Sequence, residues 1–226
     1  ASGNGAVEVV RAVTVADTIA PSITLAGGAS IMVECGTSFT DPGATAQDAC
    51  EGDLSAQIVV GGAAVDESVP GEYVVTYNVS DASSNAAPEV TRRVVVTNRA
   101  APVITLLGDA EVVVECGAAS YTESGAVATD SCEGDVSGNI VVDGENINPN
   151  IPGSYYVSYN VADAAGNAAT TVLRHVVIAD NDAPVLVLNG ADMVNLEYGT
   201  PYSESGAMAS DACDGNITRR VVISGD

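Results

Sequence analysis

Cysteines and acidic side chains are the residues of this 226-residue chain whose types and spacing could do chemistry. Cys35 and Cys116 both follow Val-Glu, and Cys50 and Cys132 both precede Glu-Gly-Asp. Metal binding by these thiols is disfavoured, because no Cys-x-x-Cys pair is present and His175, the single histidine, lies far away in sequence. We therefore expect one disulfide per repeat, Cys35–Cys50 and Cys116–Cys132, formed in an oxidising compartment.

Cys213 breaks this pairing. Tyr198 stands at the position where the third copy would carry the partner cysteine, so Cys213 is expected to be an unpaired thiol. Two interpretations stay open: a buried free thiol packed against Tyr198, or a link to another chain.

The acids that precede and follow the second cysteine also recur. Several carboxylates on one loop are the oxygen ligands that calcium prefers, although no EF-hand spacing is present. The alternative is that they are solvated turn residues and strand caps. The recurring acids in the three copies are Asp41, Asp48, Glu51 and Asp53; Glu123, Asp130, Glu133 and Asp135; and Glu204, Asp211 and Asp214. The candidate calcium ligands among them are Asp41, Asp48, Asp53, Asp130 and Asp135.

The junctions between copies carry a second set of candidate calcium ligands, Asp17, Asp180 and Asp182. An ion there would stiffen the array. At the middle junction Asn98 and Arg99 replace the acids, so two junctions at most would bind. Calcium is the only cofactor that the sequence suggests, and none is required.

Charge and composition exclude several classes of function. The net charge is −23 and all basic residues are arginine, so phosphate backbones would be repelled and lysine-based catalysis is absent. Aromatic residues make up 4% of the chain and tryptophan is missing, which disfavours a glycosidase cleft. No apolar run reaches the ~18 residues of a membrane helix, so no membrane insertion is expected within this segment. We predict no enzyme and no catalytic residue.

Three proline-led segments, which begin at Pro21, Pro102 and Pro184, define repeats with steps of 81 and 82 residues. The prediction is an array with four parts: 1–20, the last strand of a preceding repeat plus linker; 21–101 and 102–183, complete repeats; and 184–226, the first half of a further repeat. We expect a longer polypeptide that continues on both sides. The alternative is a filament, in which residues 6–16 complement the third copy of a neighbouring molecule.

Short β-branched runs separated by turn residues predict an all-β sandwich in each repeat. Period-2 alternation places Tyr73, Val75, Tyr77 and Val79 on one face of a strand. The closing strand likewise places Val90, Arg92, Val94 and Val96 on one face. Pro-Gly-x-Tyr before the Tyr-rich strand, at 70–73 and 152–155, indicates a tyrosine corner.

The order of these motifs resembles the immunoglobulin-like repeats of bacterial surface proteins and is similar to the hyalin-repeat group. The motifs are proline–strand–Val-Glu-Cys-Gly, the acidic turn, Pro-Gly-x-Tyr and a terminal Arg-x-Val-x-Val, and they cover essentially the whole chain. The resemblance implies tandem immunoglobulin-like sandwiches, beads on a string, in a secreted or cell-surface protein. Such repeats serve as stalks, adhesin arms or modules beside extracellular enzymes.

We therefore expect a non-enzymatic extracellular structural module, a segment of a repetitive surface stalk or fibre. The alternative is an adhesin or carbohydrate-binding module. An exposed aromatic platform would favour the alternative, and Tyr121 and Tyr202 are its candidates. The expected partners are neighbouring repeats, other copies in a filament, or a surface glycan or protein ligand, with nucleic acid excluded.

Overall fold

The computed structural model describes residues 3–225, and residues 1, 2 and 226 lie outside the described part of the chain. The chain divides into two compact units, Ala1–Arg99 and Ala100–Asp226. The boundary falls just before the predicted boundary between 21–101 and 102–183, and the further division at residue 184 stays a prediction.

Unit 1 consists of two β-sheets and one short 3₁₀ turn, Ser55–Gln57. One sheet has the strand order β1-β3-β4 and the other has the order β2-β7-β6-β5. β2 pairs with β7 in parallel, and the other pairs are antiparallel. The strands are β1 (Ser22–Leu25), β2 (Ser30–Glu34), β3 (Ala44–Asp48), β4 (Gly52–Asp53), β5 (Val59–Gly62), β6 (Gly71–Asn78) and β7 (Val90–Thr97).

Unit 2 repeats this topology and then begins it again. Its sheets have the orders β8-β10-β11, β9-β14-β13-β12 and β15-β16-β17. Two 3₁₀ turns follow β11 and β17, at Ser137–Asn139 and Thr218–Arg220. The strands are β8 (Val103–Leu106), β9 (Glu111–Glu115), β10 (Ala126–Asp130), β11 (Gly134–Asp135), β12 (Val141–Asp143), β13 (Gly153–Asn160), β14 (Val172–Ala179), β15 (Val185–Leu188), β16 (Ala207–Asp211) and β17 (Gly215–Asn216).

The core of each complete repeat lies between its two sheets. In unit 2, Ile104 from β8 and Ala128 from β10 pack in one cluster with Val157 and Tyr159 from β13 and Val176 from β14. Because side chains alternate across a strand, the predicted inward faces of β6 and β7 are the buried ones. The prediction of tandem immunoglobulin-like sandwiches is confirmed.

The tyrosine corner is present in both complete repeats. Tyr73 Oη donates to the Val69 carbonyl at 2.9 Å, and Tyr155 Oη donates to the Ile151 carbonyl at 2.9 Å. Each bond ties the start of the Tyr-rich strand to the turn before it. Two strands in each repeat were not predicted, because β3–β4 and β10–β11 lie within the segments interpreted as acidic loops.

The predicted strand at residues 6–16 does not form, since no strand occurs between residues 3 and 21. Val9 within it is 93% exposed. Its counterparts β7 and β14 are each held by a parallel and an antiparallel neighbour from their own repeat, and residues 6–16 have no such neighbours among the described residues. A lone strand has no ladder to complete its backbone hydrogen bonds. For the same reason the counterpart of β2 in the last copy, at 193–197, is not a strand.

Candidate functional site

The Val-Glu-Cys-Gly motif lies where one repeat meets the next. In unit 2, Cys116 follows β9 and forms a disulfide with Cys213, which lies in the turn between β16 and β17. The two Cα atoms are 5.1 Å apart although the residues are 97 positions apart in sequence. The bond therefore joins the complete repeat of unit 2 to the repeat that begins at Pro184.

The predicted pairing of cysteines is wrong. Cys116 bonds to Cys213 and not to Cys132, Cys213 is not the unpaired thiol, and Cys50 is free and exposed, so Cys35–Cys50 does not form. Cys35 and Cys132 are also disulfide-bonded. Nearness in sequence misled here, because Cys116 follows β9 and Cys132 follows β10, and these strands belong to different sheets. The one signal in the sequence was that Cys213 has no partner cysteine within its own copy, whereas pairing with the preceding copy gives it Cys116.

The glutamate of the same motif holds the linker that follows the repeat. Glu115 Oε1 accepts hydrogen bonds from the backbone N–H groups of Asn181 at 2.6 Å and Asp182 at 3.2 Å, and Oε2 accepts one from Asn181 Nδ2 at 3.0 Å. These bonds, the Asn181 N–H first, lower the pKa of Glu115. In unit 1, Glu34 Oε1 accepts the N–H of Arg99 at 2.6 Å in the same way.

The glycine of the motif is required by close packing. Gly117 has a φ of +85°, which side chains other than glycine rarely adopt. A Cβ atom at Gly117 would lie 2.7 Å from the Ala212 carbonyl oxygen and 2.8 Å from its Cβ. Glutamate, cysteine and glycine of this motif thus all act at the junction, which the sequence did not reveal for Glu115 and Gly117.

A buried arginine joins the two sheets of each complete repeat. In unit 2, Arg174 Nη2 donates to the carbonyls of Leu107 at 2.6 Å and Gly125 at 3.1 Å, and Nε lies 2.8 Å from Glu123 Oε1. The hydroxyl groups of Tyr121 and Tyr159 donate to the same carboxylate. Burial raises the pKa of Glu123, but these hydrogen bonds and the Arg174 charge outweigh it, so the pKa is lowered.

The same arrangement removes Asp41 from the calcium candidates. Arg92, which is fully buried, pairs with the Asp41 carboxylate and donates to the carbonyls of Ala26 at 2.5 Å and Gly43 at 3.1 Å. Tyr77 Oη donates to Asp41 Oδ2 at 2.5 Å. Asp41 is therefore the counter-ion of a core arginine.

Asp53 and Asp135 cap turns. Asp53 Oδ1 accepts the N–H of Ser55 at 2.9 Å, and Asp135 Oδ1 accepts the N–H of Ser137 at 2.9 Å. The Ser hydrogen bonds lower the pKa of both carboxyls. The interpretation as capping residues of turns accounts for these two acids.

Carboxylates gather more closely at two other places. One group consists of Asp130, Glu133 and Asp163, and the other consists of Asp17, Asp48 and the Cys50 thiol. In each group one ligand atom per residue lies within 4.8 Å of the others. Glu133 and Asp163 were not among the candidate ligands, because Asp163 belongs to the turn after β13, far from the acidic loop in sequence.

The junction acids of unit 2 also lie together. Asp180 and Asp182 line a cleft of about 340 Å³ with Asp211 and Asp214. Burial, followed by the charges of Asp211 and Asp214, raises the pKa of Asp180. Asp214 is also paired with Arg220, with Nη1 2.5 Å from Oδ2.

Of the two predicted aromatic candidates, Tyr202 is exposed and Tyr121 is not. Tyr121 is part of the buried network, and Tyr202 is 55% exposed and donates to Glu204. Tyr156, which is 58% exposed, stacks on His175 with ring centroids 4.9 Å apart. This pair on β13 and β14 was missed, because only the cross-strand register places Tyr156 opposite His175.

Most of this chain is similar in sequence to part of a larger known protein. A 203-residue match to the pesticidal crystal protein Cry22Aa of Bacillus thuringiensis is 27% identical and covers 86% of this chain. The chain spans about a quarter of that relative, 27% of its length. Within the described residues, no helix is long and apolar enough to cross a membrane.

Two solved structures are similar at low identity. The lipoprotein BT2262 from Bacteroides thetaiotaomicron has a TM-score of 0.32 at 15% identity, over 68% of this chain and 99% of its own. The second is the M60 catalytic domain with the CBM51-1 and CBM51-2 domains from Clostridium perfringens ZmpB. It has a TM-score of 0.47 at 11% identity, and the match covers 83% of this chain and 33% of that chain. Neither likeness bears on function.

The family model described as "Bacterial surface protein, Ig-like domain" matches residues 23–96 and 104–178. These two matches coincide with the β1–β7 and β8–β14 sandwiches, including their buried arginines and tyrosine corners. The chain belongs to the family of Ig-like domains of bacterial surface proteins.

Proposed function

We propose that this chain is a non-enzymatic extracellular structural module, a segment of a repetitive stalk or fibre at the cell surface. The observation that carries the proposal is the Cys116–Cys213 disulfide, which bonds one repeat to the next across the linker. A covalent bond between neighbouring repeats resists their separation under tension, which suits a spacer. The match to about a quarter of a much larger relative supports a modular role.

The junction contacts support the same function. Glu115 fixes the linker at Asn181 and Asp182, and Gly117 packs against Ala212. The linker between β14 and β15 is therefore held at Asn181 and Asp182 and does not act as a flexible tether. Disulfides persist outside the cytosol, which agrees with an extracellular or surface location.

Force spectroscopy tests the load-bearing role. When the chain is pulled from its two ends, residues between Cys116 and Cys213 cannot extend while the disulfide is intact. The C116S/C213S variant, which leaves Cys35 and Cys132 in disulfide linkage, should lengthen the fully extended chain by at most roughly 330 Å, from about 3.5 Å for each of the 97 residues of separation. The junction should also open at lower force in that variant. An unchanged extended length and opening force would overturn the proposal.

The second candidate function, carbohydrate binding, is favoured by the exposed stack of Tyr156 on His175. Aromatic faces flanked by hydrogen-bonding groups are what sugar rings pack against, and Ser154 Oγ lies 2.5 Å from His175 Nε2. A glycan array probed with the wild-type chain and the Y156A variant tests it. Saturable binding that Y156A abolishes would establish a binder, and absence of binding would leave the structural role.

A further inference from the structure

Three carboxylates from two parts of unit 2 converge beside the turn that carries Cys132. Asp130 ends β10, Glu133 lies in the turn that follows, and Asp163 lies in the turn after β13. One oxygen of each lies within 4.8 Å of the others. Two oxygens bound to one calcium ion at 2.3–2.6 Å are at most about 5 Å apart, so the spacing fits a shared ion.

Asp130 carries a buried oxygen that nothing satisfies. The residue is 6% exposed, and its Oδ1 accepts the N–H groups of Cys132 at 2.8 Å and Glu133 at 3.0 Å. Its Oδ2 is buried and has no hydrogen-bond partner among the described residues. Because a buried charged oxygen without a partner is costly, this atom requires a ligand that the protein itself does not supply.

Asp163 lies close to Asp130 and is held in its charged form. The residue is 7% exposed, and burial alone would raise its pKa. The Asn167 side chain and the N–H groups of Asn167, Gly166 and Ala165 outweigh burial and lower the pKa. Glu133 Oε1 also accepts the N–H of Ala164 at 2.8 Å, which fixes its carboxylate over the same turn.

The complete repeat of unit 1 reproduces these features. Asp48 is 8% exposed, its Oδ1 accepts the N–H groups of Cys50 at 2.8 Å and Glu51 at 3.0 Å, and its Oδ2 is buried without a partner among the described residues. Asp81 is 6% exposed and Glu51 Oε1 accepts the N–H of Ala82 at 2.8 Å. The close group in unit 1 consists of Asp17, Asp48 and the Cys50 thiol, and Asp17 Oδ2 is also buried without a partner among the described residues.

We propose that Asp130, Glu133 and Asp163 form a calcium-binding site, and that Asp48 and Asp17 belong to its counterpart in the first repeat. The Asp130 group offers only oxygen ligands of high charge, which suit calcium, and backbone carbonyls and water complete its six to eight ligands; the counterpart group also contains the Cys50 thiol. Zinc is disfavoured at Asp130, because no histidine belongs to the group and Cys132 is in a disulfide. The proposal goes beyond the structural role and does not depend on it.

Thermal unfolding in calcium and in chelator tests the proposal on the oxidised, full chain. Affinity typical of extracellular modules, about 10⁻⁴–10⁻³ M, should raise Tm by several degrees at 10 mM calcium. Because a net charge of −23 makes any divalent cation stabilising by screening, 10 mM magnesium is the reference. Calcium should raise Tm clearly more than magnesium does.

Asp130→Asn is the diagnostic variant. Its amide oxygen can still accept the two turn N–H groups, but the unpartnered charge is gone. In chelator D130N should melt at or above the wild type, whereas in calcium it should melt below it, and equilibrium dialysis should find one fewer bound calcium ion. Asp135→Asn is the matched control, since Asp135 caps the same loop outside the group, and it should keep the full calcium response.

Two results would overturn the proposal. Equal effects of calcium and magnesium would leave these acids as solvated turn residues. A D130N variant that is destabilised equally in calcium and in chelator would assign Asp130 a purely structural role in the turn. Neither result would affect the force measurement on the Cys116–Cys213 bond.

Discussion

Arg174 and Glu123 form an ion pair in the core of the second sandwich, with Arg174 Nε 2.8 Å from Glu123 Oε1 and the arginine side chain 1% exposed. Arg174 comes from β14 in one sheet, and Glu123 lies just before β10 in the other. The guanidinium also donates to the Leu107 and Gly125 carbonyls, so one side chain joins both sheets. A fold with so few aromatic residues uses this polar network where a larger apolar core would otherwise lie.

Arg174→Met should destabilise unit 2 by about 3–5 kcal/mol, because it leaves Glu123 buried without a counter-ion. Arg93→Met is the control, since Arg93 is 51% exposed and pairs with Glu72 at the surface; that variant should change stability by about 1 kcal/mol or less. Urea unfolding of both variants measures the difference. Equal, small effects would contradict a structural role for the buried pair.

The buried tyrosines should ionise at a higher pH than tyrosines in an unfolded chain. Burial, and then the hydrogen bond to an acidic side chain, raises the pKa of Tyr77 and of Tyr159 to about 12. Since the unfolded phenol ionises near 10, the unfolded chain loses these protons first, so stability is complete below about pH 10 and falls as pH rises towards 12. In a pH titration, tyrosinate absorbance should show a second increase near pH 12.

The Y77F and Y159F variants assign this second increase. Each substitution should remove part of the absorbance change near pH 12 and leave the change near pH 10 intact. A single transition near pH 10 in the folded protein would show that neither hydroxyl is held by Asp41 or Glu123.

Gly117→Ala should destabilise the junction between repeats in unit 2. The substitution places a side chain at a φ of +85° and against Ala212, which together should cost about 1–3 kcal/mol. Gly138→Ala is the control, because no atom lies within 4 Å of a Cβ built there. Urea unfolding should separate the two variants, and equal stability would mean that residue 117 and Ala212 do not pack closely.

Thiol mapping should find one reactive cysteine, Cys50. In denaturant without reductant, alkylation should modify Cys50 alone, and peptide mass spectrometry should recover a linked pair of peptides containing Cys116 and Cys213. The native thiol should react slowly at neutral pH, because the Asp17 charge, burial and the nearby acids raise the pKa of Cys50. A Cys116–Cys132 peptide would contradict the structure.

The sequence alone was enough to identify the sandwich fold, because that fold depends on local patterns. Period-2 alternation set the inward faces of β6 and β7, including Arg92, and Pro-Gly-x-Tyr indicated the tyrosine corner that Tyr73 and Tyr155 form. The repeat step indicated where each copy begins. None of these inferences needs to know which residues meet across the fold.

Tertiary structure decided everything that depends on contacts between distant segments. Cysteine pairing, the Arg92–Asp41 pair and the Asp130–Glu133–Asp163 group each join residues from different sheets, turns or repeats. The strand at residues 6–16 failed for the same reason, since a strand forms only where neighbours complete its hydrogen bonds. Spacing along the chain does not measure distance in space, and the chemistry of Cys116, Asp41 and Asp163 follows from that distance.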